Sequence, residues 1–533
     1  MFRYRINQIK LGLGEDVSSL PEKIKKKSRD LRNANITDVT IIKRSLDARE
    51  THVKQVFTVD FSCDKKCNLP EPPDVSYAIP KVNSSLDEAE ENTVKKAGHT
   101  NRPVIIGFGP CGMFAALVLA KAGLSPIVIE RGLDVDERIR KVQEFWETGN
   151  LDPECNVQFG EGGAGTFSDG KLNTGIKDPR INFVLRTFAD AGADSNILID
   201  ARPHIGTDDL RKVVKNIREE IKALGGEIRF GNKLEDACHS EGGFILTIKN
   251  ESETYTLSCH NLVLAIGHSS RDTYRMLRSK KIHMEPKPFS MGVRVEHDQS
   301  LIDQAMYGED AGHPNLPPAY YKLATRVSDG RGVYSFCMCP GGEIVNASSQ
   351  EGMLVTNGMS NHDRDSGKAN SGILVDVRPQ DFERPDDPMA GIEMQEKYEH
   401  LAFINGGGTY NIPTTTWGEY SQRSASAAAV ISSLPDFVAR DIAEAMPIFG
   451  RKIKGFDNDD TIIKAIESRS SAPLRIIRNK GTLEGYEENS SSDLVPIPGF
   501  YPAGEGAGYA GGITSAACDG IKIAERIIEK YLY

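Results

Sequence analysis

Residues 103–131, PVIIGFGPCGMFAALVLAKAGLSPIVIER, constrain this chain more than any other stretch, because they read as one complete β-α-β unit. Val104, Ile105 and Ile106 make a short apolar strand, and Gly107-Phe108-Gly109-Pro110-Cys111-Gly112 turns straight into a helix predicted over 110–122. That strand–turn–helix context is what a GxGxxG motif needs before it points to a dinucleotide. Gly107 permits the turn, Gly109 lets backbone approach a pyrophosphate, and Gly112 lets the helix lie close on the strand. The free N–H groups and positive end of the helix dipole favour phosphate at that point. A second strand over 126–129 ends in Glu130-Arg131, 18 residues beyond Gly112, where a carboxylate can accept from a ribose diol.

The pattern occurs twice more, without that context. Residues 160–165 follow no strand, and residues 506–511 precede a helix but leave no room for a second strand. Glycine at this density costs chain entropy, so both are expected to pass close to another backbone or to a ligand.

At 533 residues the chain can bury two or three cores, and 39% apolar with 26% charged residues is ordinary for a globular protein. No 18-residue apolar run exists, since Lys121 interrupts the best candidate, and residues 1–15 lack the apolar segment of a signal peptide. A cytoplasmic protein with no membrane partner is expected. Nine cysteines without an even framework of spacings fit reduced thiols. The net charge of −10 argues against nucleic-acid binding by the whole molecule.

Residues 1–67 read as a separate β-α-β-β module of ferredoxin-like α+β type, with strands at 4–11, 39–45 and 53–62 and a charged helix at 20–31. Residues 1–70 hold 15 Lys and Arg against 9 Asp and Glu, a charge of +6 that leaves −16 for the rest. Lys23, Lys25, Lys26, Lys27, Arg29 and Arg32 could face a nucleic-acid phosphate, or form a solvated helix face. Residues 68–101, rich in proline and then acidic at 87–91, read as a linker. Helices are predicted over 134–148 and 180–191, and from an N-cap at Thr207 to about 225. Short strands are expected at 227–230, 244–249 and 255–258, and a buried strand at 261–267.

Five segments carry a resemblance: residues 103–131; FGEGGAGTFSDGKL at 159–172; NLVLAIGHSSRDTY at 261–274; YSFCMCPGG at 334–342; and FYPAGEGAGYAGGITSAACDGIKIAERI at 500–527. The chain resembles the uncharacterised FAD-dependent dehydrogenase family of the glutathione-reductase-like FAD superfamily. The resemblance covers about residues 100–533. It implies a Rossmann-like FAD-binding domain in two parts, 102–284 and 467–533, with an inserted α+β substrate domain at 285–466. It implies that Gly504-Glu505 takes the place of the usual Gly-Asp at the ribitol, and that Gly511, Gly512 and Ile513 open a helix aimed at the flavin pyrimidine. By the same analogy Gly163, Ala164, Gly165 and Thr166 pass beside the flavin or ribitol. Lys233 and Leu234 meet adenine through backbone groups, and Ala265 and Gly267 pack on the nucleotide.

The catalytic groups stay open at this point. Lys171 could stand near the flavin or in solvent, and His268 could donate a proton or hold structure. Tyr410, Trp417 and Arg423 could line a binding wall or pack. Cys337 and Cys339 could be a redox pair or small buried hydrophobes, and no catalytic disulfide is expected, because the run VYSFCMC reads as a regular strand. There an i, i+2 pair has Cα atoms roughly 6.5–7 Å apart, at or beyond the reach of a disulfide. The superfamily's disulfide reductases carry a CxxxxC pair and a second dinucleotide domain, and this chain has neither. Cys63 and Cys67 lack companion ligands, so no metal is expected.

The leading expectation is an oxidoreductase with non-covalent FAD that passes a hydride between flavin N5 and a small organic substrate or a nicotinamide, with NADH or NADPH as a transient donor. The alternatives are an RNA-associated flavoprotein using the basic N-terminal module, and an FAD-binding protein without turnover.

Overall fold

The computed structural model describes residues 1–73, 77–80, 102–240 and 243–532. At its centre lies a sheet of five short parallel strands, ordered Phe500–Pro502, Leu262–Leu264, Val104–Ile106, Ile127–Ile129 and Glu227–Arg229. The three inner strands are wholly apolar and buried, as parallel strands covered on both faces must be. Alternation sorts their side chains. Ile105, Val128 and Val263 face a helical layer, whereas Val104, Ile106, Ile127 and Ile129 face the three-stranded antiparallel sheet Lys233–Ser240, Gly243–Lys249 and Thr254–Cys259. Its first strand, at 233–240, was not expected from the sequence.

In the helical layer the fingerprint helix Pro110–Lys121 is buried almost all round, which is why its sequence shows no polar stripe. The C-terminal helix Ile513–Leu532 lies along it, and Gly520 allows the contact: a Cβ there would sit 2.1 Å from the Cys111 carbonyl oxygen. The helix Val135–Thr148 starts where Asp134 accepts from the N–H groups of Asp136 and Glu137, at 3.0 and 3.3 Å, and stops at Gly149 with φ of 78°. The next long helix, Thr207–Ala223, corrects one expectation. Its N-cap is Gly206, and Thr207 instead turns its hydroxyl to donate to the Ser168 carbonyl at 2.6 Å.

Between the last two parallel strands the chain leaves to build a six-stranded antiparallel sheet, ordered Ala324–Arg326, Gly332–Pro340, Lys368–Val377, Phe289–Asp298, Ile462–Glu467 and Thr414–Thr416. The helices Ala390–Asn405 and Asp436–Lys452 help to cover it. The second runs on through Pro447, because Met446 and Phe449 continue its buried face.

The N-terminal module has the predicted order, with strands Phe2–Gly12, Ile36–Asp47 and Lys54–Cys63 and helix Leu20–Lys27. The third strand pairs antiparallel with both others, over a core that includes Ile24, Phe57 and Phe61. The second helix–strand half of a full ferredoxin-like fold is not among the described residues. Arg44 joins this module to the rest by a two-point ion pair to Asp200, at 2.8 and 3.1 Å. The predicted acidic run 87–91 lies outside the described residues. Among those described, no helix is long and apolar enough to cross a membrane.

Candidate functional site

A cavity of about 410 Å³ opens where the C-terminal ends of the parallel strands meet the inserted sheet. That is the position at which open α/β sheets bind ligands. Of the residues expected to hold a cofactor, Gly107, Gly109, Pro110, Cys111, Glu130, Arg131, Gly163, Ala164, Gly165, Leu234, Ala265, Gly267, Glu505, Gly511, Gly512 and Ile513 line it. Gly112, Thr166, Lys233 and Gly504 do not, and each has a structural task. A Cβ on Gly112 would lie 1.9 Å from the Gly107 carbonyl oxygen. Thr166 donates to the Glu161 carbonyl at 3.1 Å. Lys233 pairs with Glu154 and Asp272, at 3.0 and 2.9 Å. Gly504 donates its N–H to Asp519 at 2.8 Å.

The glycines separate into two kinds. At Gly107, Gly112 and Gly520 a Cβ would strike protein backbone within 2.4 Å, so packing alone requires glycine. At Gly511 and Gly512 a Cβ would meet nothing within 4 Å, and at Gly109 only the Gly163 Cα at 3.7 Å. All three line the cavity, two of them just before the C-terminal helix and one at the start of the fingerprint helix. The protein itself does not need them bare. A molecule lying against both helix N-termini would.

Glu130 is engaged more fully than its sequence position suggests. Oε2 accepts from the Phe108 N–H at 2.7 Å, and Oε1 accepts from Gly132 and Gly160 at 3.0 and 2.9 Å. The carboxylate thus ties the fingerprint turn to the glycine-rich loop, and one acceptor direction on Oε2 remains. Arg131 stacks over Phe159 at 4.5 Å and pairs with Asp272. His268 pairs through Nδ1 with the accepting Glu505 carboxylate, 3.1 Å away, while its buried Nε2 finds no partner among the described residues.

Residues 288–470 match the family model described as FAD-dependent protein, C-terminal domain-like, and residues 3–62 match a domain of unknown function (DUF8436). An uncharacterised protein of Clostridium beijerinckii is 46% identical over 547 residues, spanning 99% of each chain. The chain belongs to that protein's family. Among solved structures it is similar to a flavoprotein/dehydrogenase from Cytophaga hutchinsonii, at TM-score 0.35 and 14% identity over 81% of this chain and 78% of that one. A geranylgeranyl bacteriochlorophyll reductase-like protein from Thermoplasma acidophilum gives TM-score 0.33 and 13% identity over 81% and 82%. Likenesses this loose carry no argument about the reaction. The first family match supports an FAD-dependent flavoprotein, and the bare glycine pair of helix termini fits the pyrophosphate and ring of such a group.

The opposite wall comes from the inserted sheet and was mostly missed in the sequence. Thr356, Asn357, Glu467, Arg469 and Ser470 line it, together with Phe336 and Cys337. Arg469 and Arg271 both grip the buried Glu399 by two contacts each, between 2.7 and 3.0 Å. Burial works against that carboxylate's charge, but Arg271 and Arg469 hold it well below the usual range. Arg294 is fully buried and donates to Glu467, Asn357 and Asn370 at 3.0, 3.1 and 2.7 Å. Burial pushes Glu467 up to about 7 while Arg294 pulls the other way. Only a motif coupling residues almost two hundred positions apart could have announced these groups.

Lys171 is no solvent lysine. It lines the cavity, pairs with Asp169 at 3.2 Å and lies 3.9 Å from the Cys339 sulfur. Asp169 is buried, bound by Arg364 at 2.7 Å and by the Ser360 hydroxyl. Tyr410, Trp417 and Arg423 do not line the cavity: Tyr410 packs edge-on against Phe145 and Phe403, and Trp417 is buried in the core of the inserted domain.

The strand expected to be regular at the two cysteines is not. Pairing between Gly332–Pro340 and Lys368–Val377 slips between Phe336 and Cys339, and Cys337 takes φ of 43°, a left-handed conformation that a cysteine rarely adopts. The bulge aims Cys337 at the cavity. Cys339 is fully buried behind it, its thiol donating to the Cys337 carbonyl at 3.2 Å.

Proposed function

We propose that this protein is an FAD-dependent oxidoreductase of the glutathione-reductase-like type, passing reducing equivalents between non-covalent FAD and a small organic substrate or a nicotinamide. The observation that carries the reading is the set of cavity-lining glycines, Gly109, Gly511 and Gly512, that no protein contact requires. They stand at two helix N-termini, where backbone N–H groups and the helix dipole favour anionic groups.

When bound, the flavin supplies two-electron exchange; the chain supplies the rest. The first turn of Pro110–Lys121 would hold the pyrophosphate, with no side chain at Gly109 to obstruct it. Glu130 fixes the loop at Gly160 against the fingerprint turn and offers its remaining lone pair to a ribose hydroxyl. The start of Ile513–Leu532 would face the carbonyl edge of the flavin ring and favour negative charge there. The inserted domain closes the other side with Asn357 and Arg469, Lys171 reaches in from the glycine-rich loop, and these three polar groups orient a substrate. His268, held by Glu505 through Nδ1, keeps Nε2 free to hold or move a proton at the cavity wall.

The test is direct. Purified protein should release FAD on heating, and the flavin absorbance should bleach anaerobically with NADH, NADPH or one of a panel of reduced metabolites. Released FMN, or no flavin after reconstitution with FAD, would overturn the cofactor assignment. Full flavin content with no bleaching by any donor would leave a binding protein without turnover.

A further inference from the structure

We propose that Cys337 and Cys339 form a redox-active dithiol that opens on the cavity and exchanges with disulfide substrates, Cys337 as the attacking sulfur and Cys339 as the resolving one. The inference stands on the cysteines and their neighbours and does not depend on which cofactor the cavity takes.

Three observations converge on the pair. The strand is distorted at this point: a non-glycine residue at φ of 43° inside a bulge is strained, and such outliers gather at functional sites. The distortion gives the two sulfurs unequal access, Cys337 lining the cavity and Cys339 fully buried. That division suits an attacking and a resolving thiol. Two ion pairs then flank the cysteines: Lys171, paired with Asp169, reaches the Cys339 sulfur at 3.9 Å, and buried Arg294, paired with Glu467, donates to the Cys337 carbonyl at 3.4 Å, so that two cations and two carboxylates face the pair. Positive neighbours are what convert a thiol to a thiolate near neutral pH. In line with that geometry, the side-chain contact with Cys339, with Lys171 and Arg294, holds the Cys337 thiol well below its ordinary value, although burial opposes this. The same contact and burial keep Cys339 protonated.

The chemistry balances without any further oxidant. The Cys337 thiolate attacks one sulfur of R–S–S–R, a mixed disulfide forms, the substrate S–S bond breaks, and the first leaving thiolate takes a proton from the Lys171 ammonium. The Cys339 thiol then gives its proton to the Lys171 amine. Its thiolate attacks the Cys337 sulfur, and the second leaving thiolate takes a proton from water. Two electrons have passed from the protein to the substrate, leaving a Cys337–Cys339 disulfide and two R–SH.

The test uses the full chain as purified, with hydroxyethyl disulfide as the probe and peptide mass mapping as the readout. We expect the peptide carrying both cysteines to lose two hydrogens and to recover them with dithiothreitol. Cys339→Ser should stop at a mixed disulfide on Cys337, and Cys337→Ser should give neither product. Iodoacetamide should label Cys337 with a pH midpoint below that of a free thiol, about 8.5. Lys171→Met should raise that midpoint and Lys171→Arg should largely keep it. Flavin absorbance recorded on every sample separates this outcome from the fate of the cofactor reading. An inert Cys337 in folded wild-type protein, a mixed disulfide that persists in the wild type, or a labelling midpoint indifferent to Lys171→Met would overturn the proposal.

Discussion

The two walls of the cavity are built on opposite principles. The wall from the parallel sheet presents backbone: glycines, helix N-termini, and a Glu130 whose oxygens serve three amide N–H groups. The wall from the inserted domain presents side chains: Glu467 and Arg469 line it, backed by buried Arg294 and Glu399, and each of the four is held by an opposite charge. A backbone wall accepts a cofactor common to many reactions, because amides and helix dipoles read phosphate and carbonyl groups without regard to the rest of the molecule. A wall of paired charges is specific, and it is costly if any partner is lost.

The sharpest way to break the comparison lies within the backbone wall. Gly112→Val should prevent folding, because its Cβ would stand 1.9 Å from the Gly107 carbonyl oxygen and 3.2 Å from the Ile105 side chain. Gly109→Val, three residues earlier, should leave the fold intact and abolish FAD binding, since its side chain would enter only the cavity. Circular dichroism and flavin content of the two variants check this. Loss of fold in both would mean that Gly109 is bare for packing reasons, and the cradle argument would fail.

On the side-chain wall the expected damage is to stability. Glu399→Gln leaves Arg271 and Arg469 facing each other in the protein interior with their shared carboxylate removed. Breaking a buried charge arrangement by removing one partner costs about 3–5 kcal/mol. Urea denaturation should show a lowered midpoint of that size, while FAD content in folded protein stays near the wild-type level. A midpoint unchanged within error would show that the two arginines find water or another partner.

These two walls also differ in how far the sequence revealed them. The backbone wall was legible because its parts are local: the motif at 107–112, the acid at 130 and the glycines at 511 and 512 each carry their meaning within a few residues. Most of the residues expected at the cofactor do line the cavity. The side-chain wall was not legible because sheet pairing assembles it. Arg294 sits opposite Gly372 on one side and beside Lys464 on the other, and only that register brings Glu467 to its guanidinium. The alternation of VYSFCMC gave the wrong answer for a related reason. A bulge inserts one residue without changing the hydrophobic pattern enough to show.

Glu130 tests whether the backbone wall binds through its side chain at all. Glu130→Ala should weaken FAD by roughly 1.5–3 kcal/mol if the carboxylate also accepts from ribose. It should lower the melting temperature as well, since three backbone N–H groups lose their acceptor. Titration calorimetry separates the two effects. Unchanged affinity beside a lowered melting temperature would assign Glu130 to the loop alone.

The smallest expected effect is a pH slope that belongs to the backbone wall's own foundation. Glu161, at the base of the glycine-rich loop, is fully buried; its Oε2 accepts from Val135 N–H and from Arg218, both at 2.8 Å, while Oε1 has no partner among the described residues. Burial pushes its pKa up to about 7. An acid whose folded value lies above its unfolded one holds its proton more tightly in the native state. Its contribution is therefore complete below about 4.5 and is lost as pH rises through about 7. Glu161→Gln mimics the protonated form, so it should flatten the fall in stability across that window by about 1–3 kcal/mol. Urea midpoints for wild type and variant at pH 5 and pH 8 are the measurement. A variant whose deficit is the same at both pH values would show that Glu161 is ionised throughout, held by Arg218, and that the backbone wall too rests on a buried ion pair.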